Sequence, residues 1–184
     1  DQVHPTPGIN AAFFPTPLGW CGLAWTEAGI VGACLPEAGP EDARARLLRV
    51  HPGLRETPLP DRLAPVAAGI AALMAGEDAD LAAADLDMAT VSDFERSVYA
   101  ICRAIPRGKA LTYGDVAYRL GDVSLSRAVG VVLGRNPFPP IVPCHRVLGA
   151  DGRMVGFSAT GGVALKRRLL AMEGAIQEQP DLFG

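Results

Sequence analysis

The residues best suited to chemistry stand together in Pro139-Pro140-Ile141-Val142-Pro143-Cys144-His145-Arg146-Val147. Three prolines in this stretch fix φ and remove backbone donors, which rules out a regular helix. A cysteine is thus presented from a stiff, irregular backbone, with a histidine next to it and an arginine after that. Thiolate is the reactive form of cysteine, and a neighbouring His or Arg lowers the thiol pKa. The pattern points to a nucleophilic Cys144, with a buried structural cysteine as the alternative. In an extended chain the Cys144 and His145 side chains would point apart, so proton exchange between them needs a turn or a bridging water. Glu173 ends the helix expected over 163–172, just before Gly174 as its C-cap. A carboxylate there faces the negative end of the helix dipole, costing about 0.3–1 kcal/mol where Lys or Arg would help. Such a locally unfavourable choice marks a functional position, unless Glu173 is a solvated surface residue.

The second half of the chain must position these groups. Ser92 caps a helix over 92–104 with Phe94, Val98, Ile101 and Cys102 on its inner side, which makes Cys102 core. Pro106-Arg107-Gly108-Lys109 is a basic turn. Thr112 caps a second helix over 113–120, ended by Gly121-Asp122-Val123, and Ser124 caps a third that runs to Gly134. Helix, short Gly-containing turn and helix make a helix-turn-helix. On the third helix Leu125, Val129, Val132 and Leu133 form one apolar stripe. Arg127, Gly130, Val131 and Gly134 line the other side. Glycine inside a helix costs about 1 kcal/mol against alanine. Its recurrence on one face implies close approach by a DNA backbone or groove, or by a packed helix.

The first half reads as scaffold. Residues 1–10 form a poorly ordered lead-in, and residues 11–35 read as β structure. Thr26-Glu27-Ala28-Gly29 is a hairpin turn with Gly29 in the left-handed position. Cys21 and Cys34 are expected close together on paired strands, as core. Residues 41–50 and 61–74 read as helices, the second regular only after Pro65. The Ala/Asp-rich stretch 76–90 is the expected linker, with room for one short strand. The domains are then 1–90 (α/β scaffold), 91–174 (the lobe carrying the helix-turn-helix and Cys144) and 175–184 (flexible tail).

Composition narrows the class. Four cysteines without metal spacing and only three histidines argue against a zinc finger. A reactive free thiol fits a reducing compartment. No run approaches the roughly 20 apolar residues of a membrane span. The N-terminus lacks signal-peptide features, so cytoplasmic residence without membrane contact is expected. The net charge of −3 hides an asymmetry: residues 1–93 carry −8 and residues 94–184 carry +5. That is the footprint of a polyanion site in one lobe, or simply of an acidic lobe beside a mildly basic one.

Pro143-Cys144-His145-Arg146-Val147, with Asn136-Pro137 before it and Gly161-Gly162 and Leu169-Leu170-Ala171-Met172-Glu173-Gly174 after it, resembles the signature of the O6-alkylguanine-DNA alkyltransferases. These are the methylated-DNA–protein-cysteine methyltransferases. The similarity runs from about Phe94 to Gly174; before that it rests mainly on Thr16-Pro17-Leu18-Gly19 and the hairpin behind it. The resemblance implies an α/β protein with two lobes. The N-terminal lobe would hold a small antiparallel sheet with flanking helices, ribonuclease H-like. The C-terminal lobe would be mostly helical, with a winged helix-turn-helix.

Function follows from the same resemblance. It implies direct-reversal DNA repair, with one alkyl group per molecule moved from O6-alkylguanine, or O4-alkylthymine, onto Cys144. A thiol reaches that group only when the nucleotide has left the duplex stack. Arg127 matches the family's arginine finger, which fills the gap. Tyr113 matches the tyrosine that pushes the 3′ phosphate and donates a proton to the flipped base. Glu173 would orient His145, which takes the Cys144 proton through water; Asn136 matches the hinge asparagine, and Arg146 braces the segment. Thr112, Ser124, Gly130, Val131, Gly134 and Arg135 complete the expected minor-groove surface. Pro143, Val155, Gly156, Phe157 and Ser158 are the expected alkyl and base pocket. No metal or cofactor is implied, and the protein would act as a monomer. The alternative within the resemblance is a lesion-binding alkyltransferase-like protein that performs no transfer.

Two features stand apart. The run Gly156-Phe157-Ser158-Ala159-Thr160-Gly161-Gly162 is two residues longer than the family pattern, which either widens the pocket or bulges outward. In the tail, Gln179, Leu182 and Phe183 resemble the bacterial sliding-clamp-binding motif; the alternative is a tail folded back on its own lobe.

Overall fold

A computed structural model of the chain describes residues 8–154 and 162–177. They form two units. One holds the described residues up to Ala75 with Ala79–Val91 and Pro137–Ile141; the other holds Gly76–Asp78, Ser92–Asn136 and the described residues from Val142 on.

In the first unit, β1 (Asn10–Thr16), β2 (Gly19–Thr26) and β3 (Gly29–Glu37) form an antiparallel meander. The turn into β2 requires glycine: Gly19 has φ +137°, and a Cβ there would run into the Glu37 carbonyl. Gly29 also has positive φ, at +147°. Side chains alternate across the sheet. Ala24 and Cys34 therefore face α1 (Pro40–Val50), whose Ala43 and Leu47 lie one turn apart and share a buried cluster with them. Cys34 pairs with Gly22, and Cys21 pairs with Phe14. The two cysteines thus sit on neighbouring strands, close enough to act on one another as expected, with the register turning them to opposite faces. Burial pushes the Cys34 thiol up to about 12 and that of Cys21 higher still.

The sheet is mixed, not antiparallel. β4 (Arg55–Glu56) adds to β1 in parallel, giving the order β3-β2-β1-β4. The chain reaches it by a crossover through α1, as a parallel neighbour requires. Two exposed charged residues carry no apolar alternation, so nothing in the sequence announced this strand. α2 (Ala64–Met74) follows a 3-10 turn at Asp61–Leu63 and is regular from Ala64, with Pro65 inside its first turn. Proline fits there because those N–H groups have no helical partner. The expected linker is partly stitched to the β2–β3 hairpin. Ile30 N donates to Asp85 O at 2.9 Å, Asp87 N to Ile30 O at 2.8 Å, and the Thr26 hydroxyl to Asp87 Oδ2 at 2.6 Å. In the segment 137–141, which contains a cis Pro139–Pro140 bond, Pro137 O accepts from Ala33 N at 2.8 Å.

The second unit opens with α3 (Asp93–Arg103), nucleated by a capping box: Ser92 Oγ accepts from Glu95 N, and Glu95 Oε1 from Ser92 N, both at 3.2 Å. It buries Val98, Tyr99 and Cys102. β5 (Leu111–Thr112) leads into α4 (Tyr113–Arg119), where Thr112 and Asp115 form a second box. A 3-10 turn at Val123–Leu125 precedes α5 (Ser126–Gly134). Ser124 is not the cap of this helix. Asp122 Oδ1 accepts from Ser124 N at 2.9 Å and from its hydroxyl at 2.6 Å. A carboxylate two residues ahead closes a local turn of its own, and α5 starts later as a result.

Val129, Val132 and Leu133 of α5 are buried, while Arg127 and Val131 are exposed. β6 (Val147–Leu148) pairs in parallel with β5. This short pair fastens the start of α4 to the chain just after Cys144–Arg146. α6 (Gly162–Met172) completes the unit. No helix among the described residues is long and apolar enough to cross a membrane.

Candidate active site

The proline-rich approach ends in a single 3-10 turn, Cys144–Arg146, closed by Pro143 O accepting from Arg146 N at 2.9 Å and entered through a tight turn at Pro143 in which Val142 O accepts from Cys144 N at 2.8 Å. With three residues per turn, successive side chains diverge by about 120° instead of pointing apart as on a strand. Asn136 anchors the segment: its Nδ2 donates to Val142 O at 2.8 Å, and its side chain also hydrogen-bonds Cys144. Pro143 is buried directly ahead of the sulfur.

Cys144 is half-buried, and burial pushes its thiol up despite the opposing pull of Asn136 and of the Lys166 charge. This reverses the expectation that neighbouring cations would lower it. Arg146 directs its guanidinium elsewhere, so desolvation prevails. The resting sulfur is therefore a thiol.

His145 is 2% exposed, with Nε2 3.0 Å from Glu173 Oε1. Burial lowers its pKa, and Glu173 offsets this only in part. For Glu173, burial alone would raise the pKa, but hydrogen bonds from Arg146 and His145 overrule it and hold the carboxyl at about 2. An ionised carboxylate only accepts, so His145 presents Nε2–H to it and keeps a lone pair on Nδ1. Arg146 completes the set. Its Nε donates to Glu173 Oε1 and its Nη2 to Oε2, both at 2.9 Å, and its Nη1 donates to Ile105 O at 2.8 Å. This is the bidentate fork that suits arginine to carboxylate recognition. The brace expected of Arg146 thus acts on Glu173.

Glu173 is set by the end of α6. Ala175 N donates to Leu170 O at 2.9 Å and Gly174 N to Ala171 O at 3.0 Å, with Gly174 at φ +77°. This is a Schellman motif, and it makes Glu173 the C-cap. One turn into the same helix lies Lys166, which the sequence reading missed. It is 1% exposed, its Nζ donates to Val147 O at 2.6 Å, and its charge acts on both Cys144 and Cys102. The available signal was spacing: Lys166 shares a helix face with the buried Leu169 and Leu170.

Tyr113, at the start of α4, is half-buried; burial and then the neighbouring Cys144 raise its pKa, so its phenol remains a proton donor. Its ring lies 3.5–3.7 Å from where a Cβ on Gly130 would stand. The two residues share a groove of about 550 Å³ with Thr112, Arg127 and Val131, and with Gly114, Ser126 and Ala150, which sequence reasoning did not single out. Ser124, Gly134 and Arg135 do not line it; Ser124 and Arg135 are exposed on the same unit. Val155, Gly156, Phe157 and Ser158, with the lengthened loop through Gly161, lie outside the described residues, as do Gln179, Leu182 and Phe183. Among the described residues, no group of three or more His, Cys, Asp or Glu could hold a metal ion.

Known proteins resemble this chain in sequence and in fold. Residues 93–175 match the profile of the 6-O-methylguanine DNA methyltransferase, DNA binding domain. A methylated-DNA–protein-cysteine methyltransferase of Methanosarcina acetivorans is 43% identical over 84 residues, 46% of this chain and 53% of that protein. One from Methanothermobacter thermautotrophicus is 46% identical over 87 residues, 47% of each. The matched region thus spans about half the length of these curated relatives. The structural likeness extends further. The Mycobacterium tuberculosis O6-methylguanine methyltransferase superposes with a TM-score of 0.70 at 30% identity, covering 95% of this chain and 97% of that one. A structure of the Mycobacterium tuberculosis protein in complex with DNA gives 0.72 at 29% identity, covering 90% and 93%. A solved family member that is 30% identical and covered over 97% of its length, together with the profile match over residues 93–175, shows that this chain belongs to the O6-methylguanine-DNA methyltransferase family.

Proposed function

We propose that this chain repairs alkylated DNA by direct reversal, moving one alkyl group from O6 of guanine onto Cys144 Sγ. The observation that carries this reading is the connected set Cys144, His145, Glu173 and Arg146. A protonated thiol sits beside a neutral imidazole, whose orientation is fixed by a carboxylate that a buried arginine holds ionised. His145 Nδ1 takes the thiol proton through water. The C–S bond forms as the C–O bond breaks, and its electrons return to the guanine oxygen as a carbonyl. Tyr113 supplies the proton that the leaving base needs on a ring nitrogen, and His145 and Tyr113 re-equilibrate through solvent. Nothing in this set can cleave the thioether, so each molecule acts once.

Duplex DNA is the partner, and the base reaches the thiol by leaving its stack. Arg127 fills the gap from the face of α5, with Thr112, Ser124, Gly130, Val131, Gly134 and Arg135 along the minor groove. The +5 charge of residues 94–184 favours a polyanion there. On this reading α4, the turn and α5 serve as a winged helix-turn-helix, residues 91–174 form the acceptor lobe, and residues 1–90 form a ribonuclease H-like scaffold. O4-alkylthymine is a second substrate, and Val155, Gly156, Phe157 and Ser158 with Pro143 line the pocket. The protein works as a monomer in the cytoplasm, at the nucleoid, with residues 175–184 as a tail whose Gln179, Leu182 and Phe183 engage a sliding clamp.

The test is the fate of the base. A duplex with one O6-methylguanine, incubated with excess protein and digested to nucleosides, should lose that nucleoside and gain deoxyguanosine. Cys144→Ala should bind the duplex and leave the lesion in place. A lesion that survives the unaltered protein contradicts the proposal.

A further inference from the structure

The basic turn Pro106-Arg107-Gly108-Lys109 is the feature of the second unit that the relay leaves unused. Hydrogen bonding at the end of α6 shows what it does. The last carbonyls of a helix lack intrahelical partners. Here Leu169 O accepts from Glu173 N, and the Schellman motif takes Leu170 O and Ala171 O. That leaves Met172 O and Glu173 O. Arg107 Nη2 donates to Met172 O at 3.1 Å and to Gly76 O at 2.6 Å. Gly108, at φ +85°, lies so near Glu173 that a Cβ would stand 3.1 Å from Glu173 O. Ile105, two residues before Arg107, offers its carbonyl to Arg146 Nη1. One loop therefore grips the carbonyl before Glu173, faces Glu173's own carbonyl, and holds the arginine paired with its carboxylate. Arg107 also brings a cation to the helix end where Glu173 is unfavourable, which offsets that cost.

We infer that Arg107 is a positioning residue for the Glu173–His145 pair. It fixes the C-cap of α6 so that the Glu173 carboxylate meets His145 Nε2. It touches neither sulfur nor substrate. Its effect on rate rests on the alkyl transfer proposed above; its effect on the His145 hydrogen bond does not. The charged or titratable groups around His145 are Glu173, Arg146 and Lys166, with the Cys144 thiol beside it, and none of the four is itself substituted when Arg107 alone is replaced.

The experiment compares the full chain with Arg107→Ala, Arg107→Gln and Arg107→Lys. Proton NMR of the free protein reads the His145 Nε2–H resonance, which a carboxylate hydrogen bond shifts downfield and protects from exchange. Intact mass reads single-turnover adduct formation on an O6-methylguanine duplex, and a separate titration reads affinity for that duplex. In Arg107→Ala the resonance should broaden or vanish, and adduct formation should slow roughly tenfold to a hundredfold, the scale of a small misplacement of a catalytic group. Affinity should hold, and Arg107→Lys should restore both signals. If Arg107→Ala does not fold, Arg107→Gln carries the same comparison. A folded Ala or Gln variant with a sharp resonance and an unchanged rate overturns the inference. Absence of any adduct on the unaltered protein would instead defeat the transfer reading, and the resonance alone would then decide the role of Arg107.

Discussion

Arg146 grips the Glu173 carboxylate with two hydrogen bonds of 2.9 Å, and their side chains are only 10% and 6% exposed. The arginine adjoins a histidine that binds the same carboxylate, so one ion pair keeps that carboxylate ionised and orients the imidazole.

That pairing makes stability depend on acid. Glu173 titrates at about 2, against about 4.3 for an ordinary glutamate. A carboxyl with a depressed folded pKa contributes stability above its unfolded value and loses it as pH falls through the folded one. The contribution is roughly 3 kcal/mol, lost between about pH 5 and pH 2. Urea unfolding across that window should show the decline. Glu173→Gln should lack this component and be roughly 3–5 kcal/mol less stable at neutral pH, because Arg146 is left buried without its partner. Equal acid sensitivity in the two proteins would contradict the assignment.

The reaction should run on a neutral imidazole and a protonated thiol. The lowered His145 pKa keeps its base form available down to mildly acidic pH, so adduct formation should fall only below about pH 6.5. Iodoacetamide labelling of Cys144 in the DNA-free protein should climb only above about pH 9, since burial raises this thiol. Fast labelling at neutral pH would mean that the sulfur rests as a thiolate.

Lys166 is a second buried cation of the site, beside Arg146. Lys166→Met removes the buried donor to Val147 O, at about 1–3 kcal/mol of stability. It also removes the charge that favours the Cys144 thiolate, so labelling should move to still higher pH and transfer should slow. Calorimetry and the labelling profile check the two effects separately.

How far the sequence foretold these groups depended on whether their physics was local. Glu173 was legible because a carboxylate at a helix C-terminus breaks a local electrostatic rule. Ser92 and Thr112 were legible because capping boxes span only three residues. Ser124 was misassigned because a closer carboxylate, Asp122, competed for the same turn. Lys166 was hidden among Arg167 and Arg168, since a basic run reads as solvated until burial is known. The direction of the Cys144 shift was missed for a related reason. Proximity in sequence promised a cation, but Arg146 turns to Glu173, and desolvation depends on the whole packed environment. β4 was invisible because a two-residue parallel strand has no periodicity to read.

Gly130 separates stability from binding. A Cβ there would meet the Tyr113 ring at 3.5 Å, an ordinary contact, so Gly130→Ala should stabilise α5 by about 0.5–1 kcal/mol. It also narrows the groove between Tyr113 and Arg127, so affinity for duplex DNA should fall. Thermal denaturation beside a DNA titration checks both, and unchanged affinity would detach this face of α5 from DNA.

The most direct measurement is the intact mass of the protein after incubation with an equimolar duplex carrying one O6-methylguanine, followed by peptide mapping. The account predicts a gain of one methylene, located on Cys144 and never exceeding one per molecule. An unchanged mass, or an adduct on Cys21, Cys34 or Cys102, would contradict it.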